Sequence, residues 1–254
     1  MDVLLPFVFF VGATIASFIC LAVERLPHQL GWCDEPNREL SIWWPPSHCN
    51  QCKINIKPLY LIPVLGYVLS RGKCAHCGYL VPKKYPAIEL FCGGVCAGIY
   101  YFYSDLNIAF ILSSIFLVLT FLTLIDMKET WLPSCVTYPL FWSGLLFSPF
   151  VGADERIWGG FVGCLLMYVA MKIVSILRKE DVFAGGDIAL SAAAGAWIGI
   201  DKVPSFFVVT SLIFIVYSIP FRVRGIVFVP MGPAISVAFF LCLLYPQQLH
   251  SIFA

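Results

Sequence analysis

The sequence contains little charge. Asp, Glu, Lys and Arg make up 12% of its 254 residues, 60% are hydrophobic, and the mean hydropathy is +0.87. Soluble domains carry about 25% charged residues, which argues against a soluble enzyme and against a disordered regulator. A net charge of +1 provides no basic field for an anionic polymer, so we expect no nucleic-acid partner. We expect instead an integral membrane protein, with the lipid bilayer as its surroundings.

The sequence also lacks the signatures of several enzyme classes. It contains no His-Glu-x-x-His, no Gly-x-Ser-x-Gly and no phosphate-cradling glycine loop. No Lys or Arg precedes Leu4, and no small-residue cleavage site follows the first apolar run. That run is therefore predicted to be an uncleaved first span and not a signal peptide.

Long uncharged runs predict an all-α polytopic membrane protein with about eight transmembrane helices, since a span needs about 20 apolar residues. The sixth run is short but rich in Ala and Gly, a composition typical of close packing between membrane helices. We divide the chain into a first span (1–23), a polar segment (24–86) and a membrane domain (87–254). The eight predicted spans lie at 3–23, 87–104, 106–125, 130–153, 157–177, 188–200, 203–221 and 225–254.

Lys and Arg in the loops predict the orientation. Both termini and the even-numbered connections share one side, which holds only Arg156 and Lys202, whereas the opposite side holds 13 basic residues. Without the long first loop, the ratio is still five to two. We therefore expect both termini outside and the first, third, fifth and seventh loops in the cytoplasm.

The polar segment 24–86 contains two Cys-x-x-Cys pairs, Cys49/Cys52 and Cys74/Cys77, separated by 21 residues. This spacing favours a tetrahedral thiolate site for a structural zinc ion, in which each pair closes one knuckle. Two short disulfides or a redox relay are the alternatives, and a reducing cytoplasm disfavours the disulfides. About 60 residues bury little core, so a metal would supply much of the folding energy. The other seven cysteines show no pairing pattern.

Two aspartates lie at the ends of apolar runs, where ionisable groups are expensive and often functional. Asp126 closes the third predicted span and Asp187 opens the sixth, so the topology places both at the cytoplasmic mouth of the bundle. Two carboxyl groups that share a site can divide the roles of acid and base in hydrolysis. The alternatives are helix capping or a proton relay in a proton-coupled transporter. Glu89, near the start of the second span, is either functional or snorkelling.

Together these motifs resemble the bacterial type IV prepilin peptidases, leader peptidases with an N-methyltransferase activity. The resemblance covers nearly the whole chain, and its parts occur in the order of the family. The matching stretches are Ser17-Phe18 through Arg25-Leu26-Pro27, Pro46-Ser-His-Cys49-x-x-Cys52, Ile62-Pro63, Arg71-Gly72-Lys-Cys74-x-x-Cys77-Gly78, Tyr85-Pro86-x-x-Glu89, and the segments around Asp126 and Asp187.

The resemblance implies an aspartic endopeptidase of the bacterial inner membrane, and with the loop charges above we expect both termini in the periplasm. It implies Asp126 and Asp187 as the catalytic pair, the four cysteines as the cytoplasmic quartet, and a prepilin or pseudopilin precursor as substrate. It also implies methylation of the new N-terminal residue with S-adenosylmethionine as donor, for which no binding residue is identified. The chain departs from the family at Ala184 (usually Gly), Ala189 (commonly Lys) and Ser134 (often Asp), which bears on substrate preference.

Overall fold

The computed structural model describes residues 4–32, 40–179, 183–225 and 229–252. Within these ranges the chain is helical, and its β structure is limited to two isolated antiparallel residue pairs. The helices are α1 (Leu4–Leu30), α2 (Leu65–Leu69), α3 (Lys84–Phe102), α4 (Leu106–Glu129), α5 (Ser134–Phe147), α6 (Ala153–Arg178), α7 (Gly185–Ile198), α8 (Val203–Val223) and α9 (Gly232–Ile252).

Every predicted span overlaps one of these helices, and the short α2 is the addition that the apolar runs did not predict. Residues 226–228 and 253–254 of the last predicted span lie outside the described residues. The prediction of an all-helical protein is therefore confirmed for the described residues. By length and apolar composition, four described helical stretches are able to cross a membrane, namely α1, α4, α6 and α8 with the 3₁₀ turn before it. The count of eight spans stays a prediction.

The chain forms two compact units, Met1–Leu117 and Val118–Ala254. These units follow spatial compactness, whereas the three segments predicted above follow polarity along the chain, and those segments stay a prediction. In the first unit α1 packs along α3. Gly12 and Gly93 lie at this contact, where an added Cβ would come within 3.0 Å of Cys96 and 2.8 Å of the Phe9 carbonyl oxygen.

The second unit is organised around α7, which packs against α5, α6 and α9. With 14 residues this helix is about 21 Å long, shorter than the roughly 30 Å of a hydrocarbon core. Its residues from Leu190 to Ile198 are all buried. The prediction that this Ala- and Gly-rich run contacts protein and not lipid is confirmed.

The backbones of α6 and α7 lie in close contact. A Cβ on Gly195 would lie 2.0 Å from the carbonyl oxygen of Gly159, and a Cβ on Gly159 would lie 2.3 Å from that of Gly195. On α5, Gly144 makes room for the Trp197 ring, whose Nε1 donates a 2.9 Å hydrogen bond to the Leu140 carbonyl. Small residues thus set how closely the helices around α7 approach one another.

We expect Gly195→Ala to destabilise the protein by about 1–3 kcal/mol, because the new methyl group forces α6 and α7 apart. The measurement is the melting temperature of the detergent-solubilised chain. Gly94→Ala is the matched control, since a Cβ on this glycine of α3 has no neighbour within 4 Å. Equal melting temperatures for the two variants would contradict the expectation.

Candidate active site and metal centre

Asp126 lies in the last turn of α4, where its side chain is buried. The helix ends because Thr130 adopts a left-handed conformation (φ 51°) and its N–H donates to the Asp126 carbonyl at 2.8 Å. The carboxyl group has a fixed orientation, since its Oδ2 accepts a buried 2.8 Å hydrogen bond from the Gly232 N–H.

Gly232 is the first residue of α9, so an otherwise unpaired N–H of a helix start is used to hold Asp126. A Cβ at this position would lie 2.6 Å from Asp126 Oδ2 and 2.9 Å from its Cγ. Only glycine fits beside the carboxyl group. Our sequence interpretation missed this residue, although Pro230-Met231-Gly232-Pro233 is a turn signal immediately before the last apolar run.

Asp187 is the third residue of α7 and is buried. Gly186, directly before it, packs against the loop between α4 and α5, where a Cβ would lie 2.6 Å from the Cβ of Leu132. Gly185 has more room, since its nearest neighbour would be Phe183 at 3.9 Å. Of the two glycines before Asp187, it is therefore Gly186 that permits the close approach of the loop between α4 and α5.

Asp126 and Asp187 line one cavity of about 410 Å³, a size typical of ligand pockets. Its wall combines aromatic and apolar side chains with polar ones, among them a buried hydroxyl, Thr137 Oγ1, that has no hydrogen-bond partner among the described residues. The tertiary structure thus brings the two aspartates to the same space. The other lining residues are Thr130, Trp131, Leu132, Ser134, Tyr138, Phe183, Ala184, Gly185, Gly186 and Ala189.

The three positions that depart from the family pattern, Ser134, Ala184 and Ala189, all line this cavity. Ala184 replaces a glycine at the residue before α7, where the backbone has φ −114° and ψ 95°. Any L-residue adopts this extended conformation. The replacement therefore costs no backbone strain, and what changes is the shape and polarity of the cavity wall.

The four cysteines of the polar segment form a compact cluster in the first unit. The sulfur atoms of Cys49, Cys52, Cys74 and Cys77 all lie within 4.8 Å of one another, with 3.7 Å from Cys49 to Cys77 and 4.0 Å from Cys52 to Cys74. Four thiolates about 2.3 Å from a tetrahedral zinc ion lie about 3.8 Å apart. The cluster therefore fits a tetrahedral metal ion. His48 and His76, which neighbour two of the cysteines in sequence, are not part of it.

The two Cys-x-x-Cys pairs have matching backbones. Cys49 N–H donates to the Ile54 carbonyl at 2.9 Å, and Cys74 N–H donates to the Tyr79 carbonyl at 2.8 Å. The residue after each pair, Lys53 or Gly78, is left-handed with φ 58° or 70°. Each pair thus closes one knuckle, the arrangement predicted from the spacing.

Backbone N–H groups inside each knuckle point at sulfur. Those of Cys52 and Gln51 lower the pKa of the Cys49 thiol, and those of Cys77 and His76 lower the pKa of Cys74 to about 6. A depressed pKa favours the thiolate, which is the form that binds a metal ion. Ten of the cysteines, including these four, are free thiols, and Cys33 lies outside the described residues.

Glu89 of α3 neither snorkels nor faces solvent. Its side chain is buried, and its Oε2 accepts a 2.7 Å hydrogen bond from the Val64 N–H. Val64 precedes α2 in an unusual conformation for a β-branched residue (φ 61°). Glu89 therefore anchors the turn at the start of α2 to the helix that follows the polar segment.

Similarity to known proteins identifies the family of this chain. Residues 10–103 match the Bacterial Peptidase A24 N-terminal domain, and residues 111–219 match the Type IV leader peptidase family. A prepilin leader peptidase/N-methyltransferase of Neisseria gonorrhoeae is 31% identical over 92% of this chain and 87% of its own. The chain belongs to the type IV leader peptidase family. The resemblance deduced from the motifs is confirmed.

Two further relatives support the same family. The prepilin leader peptidase/N-methyltransferase of Vibrio cholerae serotype O1 is 30% identical over 90% of this chain and 92% of its own. A type 4 prepilin-like proteins leader peptide-processing enzyme of Escherichia coli O78:H11 is 27% identical over 89% of this chain and 88% of its own. No solved structure matches the chain.

We expect the purified protein to carry about one zinc ion per chain and Cys74→Ser to lower that content, because each thiolate supplies one of four ligands. Elemental analysis after gel filtration measures it. Cys135→Ser is the control, since Cys135 is an exposed thiol of α5 outside the cluster. A folded, metal-free wild-type protein would refute the metal site.

Proposed function

We propose that this protein cleaves the leader peptide of type IV prepilins or pseudopilins at the cytoplasmic face of the bacterial inner membrane, with Asp126 and Asp187 as the catalytic pair. The observation that carries the proposal is the shared cavity, which is lined by two buried carboxyl groups, from α4 and α7, and by aromatic and apolar side chains beside polar ones. Membership of a peptidase family supports the reaction type.

The chemistry follows from having two carboxyl groups and no nucleophile motif. The ionised carboxylate takes a proton from a water molecule, which then attacks the peptide carbonyl, while the protonated partner donates to the carbonyl oxygen. The proton acquired by the base passes to the leaving amine when the C–N bond breaks. Because Gly232 holds Asp126 by a main-chain donor, the position of this carboxyl group does not depend on a side chain that can rotate away.

The cavity wall indicates what lies beside the scissile bond. Trp131, Leu132, Tyr138 and Phe183 provide apolar and aromatic contact area. This surface suits a hydrophobic residue such as the phenylalanine that usually follows the cleavage site in this family. The unpartnered hydroxyl of Thr137 is available to hydrogen-bond the substrate backbone in the same space.

Topology supports the location of the reaction. Asp126 lies at the end of α4 and Asp187 at the start of α7, which corresponds to one membrane side if α4 runs toward the cytoplasm and α7 away from it. A precursor whose apolar helix stays in the bilayer would present its leader junction at this depth. The excess of Lys and Arg in the odd-numbered loops supports cytoplasmic placement of that side and periplasmic termini.

The four-cysteine cluster is proposed to hold one structural zinc ion, since its sulfur spacing suits tetrahedral coordination. The ion would supply cross-links that close the two knuckles, and the chain between them gains folding energy from it. N-methylation of the new N-terminal residue with S-adenosylmethionine is proposed from the family alone. We assign no residue to the donor and derive no step of the methyl transfer.

Asp126→Asn and Asp187→Asn are each expected to lower cleavage by about 10²–10⁴-fold, because an amide neither accepts nor delivers the required proton. The assay incubates the purified chain with a precursor, and mass spectrometry reads both cleavage and methylation. Methylation of a pre-cleaved substrate serves as the folding control. Full cleavage by either variant would overturn the assignment, and proton-driven flux in vesicles without any cleavage would favour a transporter.

Gly232→Ala is expected to lower cleavage by about 10- to 100-fold without removing a carboxyl group, because the new methyl group displaces Asp126. The informative quantity is kcat, since substrate contacts are unchanged. Gly152→Ala is the matched control, as a Cβ there has no neighbour within 4 Å. Wild-type kcat for Gly232→Ala would mean that the orientation of Asp126 does not depend on this contact.

A further inference from the structure

A compact turn in the polar segment of the first unit exposes two neighbouring tryptophans. Trp43 is 81% exposed and Trp44 67% exposed. The turn itself is well ordered by hydrogen bonds, since Ser41 N–H donates to the Trp44 carbonyl at 2.8 Å and Trp44 N–H donates to Ser41 Oγ at 2.9 Å. Two large apolar rings are thus displayed on a fixed backbone, which is costly in water.

The turn is fastened to α1 on both sides of the tryptophan pair. The buried guanidinium of Arg25 donates to the Ser41 carbonyl at 3.1 Å and to the Pro45 carbonyl at 2.6 Å. Gln29 Oε1 accepts from the Ile42 N–H at 3.2 Å. Charge-assisted hydrogen bonds from a buried arginine hold a main chain firmly. The direction in which the tryptophans point is therefore built into the fold.

The contact of Trp43 with α1 indicates how far the turn lies inside the end of the uncharged run of α1. Its ring lies 5.9 Å from that of Phe18, which is 43% exposed on the apolar surface of α1. Phe18 is five residues before Val23, the end of the uncharged run, and is therefore about 8 Å inside that end. The surface of Trp43 is continuous with the lipid-facing surface of α1 and reaches below the level at which the polar residues begin.

The charge of the surrounding chain suits one kind of surface. The polar segment 24–86 contains eight basic and four acidic residues, a net charge of +4, and six of the basic residues follow the turn, namely Lys53, Lys57, Arg71, Lys73, Lys83 and Lys84. Four thiolates around a divalent ion would reduce this charge by about two and leave it clearly positive. Basic segments beside membrane helices are attracted to anionic lipid headgroups, and tryptophan is enriched at the membrane–water interface.

We propose that the turn Ser41–Trp44 is a lipid-binding wedge, which inserts Trp43 and Trp44 into the bilayer interface beside α1 while the basic residues of 40–88 face anionic headgroups. The bilayer thereby becomes a further attachment of the four-cysteine segment, in addition to its chain connections to α1 and α3 and to the hydrogen bonds from Arg25, Gln29 and Glu89. The proposal concerns a lipid contact and is independent of peptidase activity.

The test uses the full chain in vesicles whose lipids carry bromine near the top of the acyl chains, since bromine quenches tryptophan only on contact. The emission of the pair is obtained as the difference between wild type and the double variant Trp43→Phe/Trp44→Phe. We expect this emission to be blue-shifted and to lose about half of its intensity in brominated vesicles. The loss should be larger when about 30% phosphatidylglycerol is added to phosphatidylcholine.

The single variant Trp158→Phe is the matched control. Trp158 is similarly exposed, but it lies beside Asp154 and Glu155 in the first turns of α6, so its quenching should not increase with phosphatidylglycerol. Emission of the pair that is quenched by aqueous acrylamide and not by bromine would overturn the wedge. Protection from acrylamide only after addition of a precursor would overturn it in favour of a substrate contact.

A second measurement needs no substitution. Carbene photolabelling from a reagent dissolved in the lipid, followed by mass spectrometry of the wild-type chain, should label the peptide that contains Trp43 and Trp44 along with the lipid-facing peptide of α1. An unlabelled 41–46 peptide beside a labelled α1 would contradict the proposal, whether or not the double variant folds.

Discussion

The second unit depends on the burial of α7, a helix shorter than the roughly 30 Å of a hydrocarbon core. Because α7 is buried from Leu190 to Ile198, its backbone can approach α6 at Gly159 and Gly195, and its Trp197 ring can pack against Gly144 of α5. These contacts fix the position of α7 along α5 and α6 and, with it, the position of its first turn. The cavity exists because α7 begins where the loop after α4 passes Gly186.

The second unit also stabilises two carboxyl groups, those of Asp126 and Asp187, inside an apolar bundle. An ionisable side chain buried without partners is expensive in a membrane protein. Asp126 receives a main-chain donor from the start of α9, and Asp187 lies in the first turn of α7, where the helix dipole favours a negative group. Both the Gly232 N–H and the dipole of α7 belong to helix starts, so α9 and α7 must begin close to the end of α4.

The polar segment of the first unit is organised differently, because it has too few residues to build a hydrophobic core. Its order comes from local knuckles around four cysteines, from Glu89 holding Val64, and from Arg25 holding two carbonyl groups of the Ser41–Pro45 stretch. These two charged side chains are provided by the helices on either side. The segment is therefore stabilised by polar contacts at its ends and by the four-cysteine cluster in its centre. The rings of Trp43 and Trp44 stay exposed and can contact another surface.

The sequence by itself determined where the helices lie, because a scarcity of charge makes the apolar runs easy to recognise. It also indicated that four cysteines form one site, because Cys-x-x-Cys spacing is a local property. It also singled out Asp126 and Asp187 as ionisable groups at run ends. Only the tertiary structure decided that Gly232, 106 residues from Asp126, orients that carboxyl group, that Ser134, Ala184 and Ala189 share its cavity, and that Glu89 is an anchor. Periodicity and composition describe neighbours along the chain, whereas these contacts arise from helix ends that meet only when the bundle is packed.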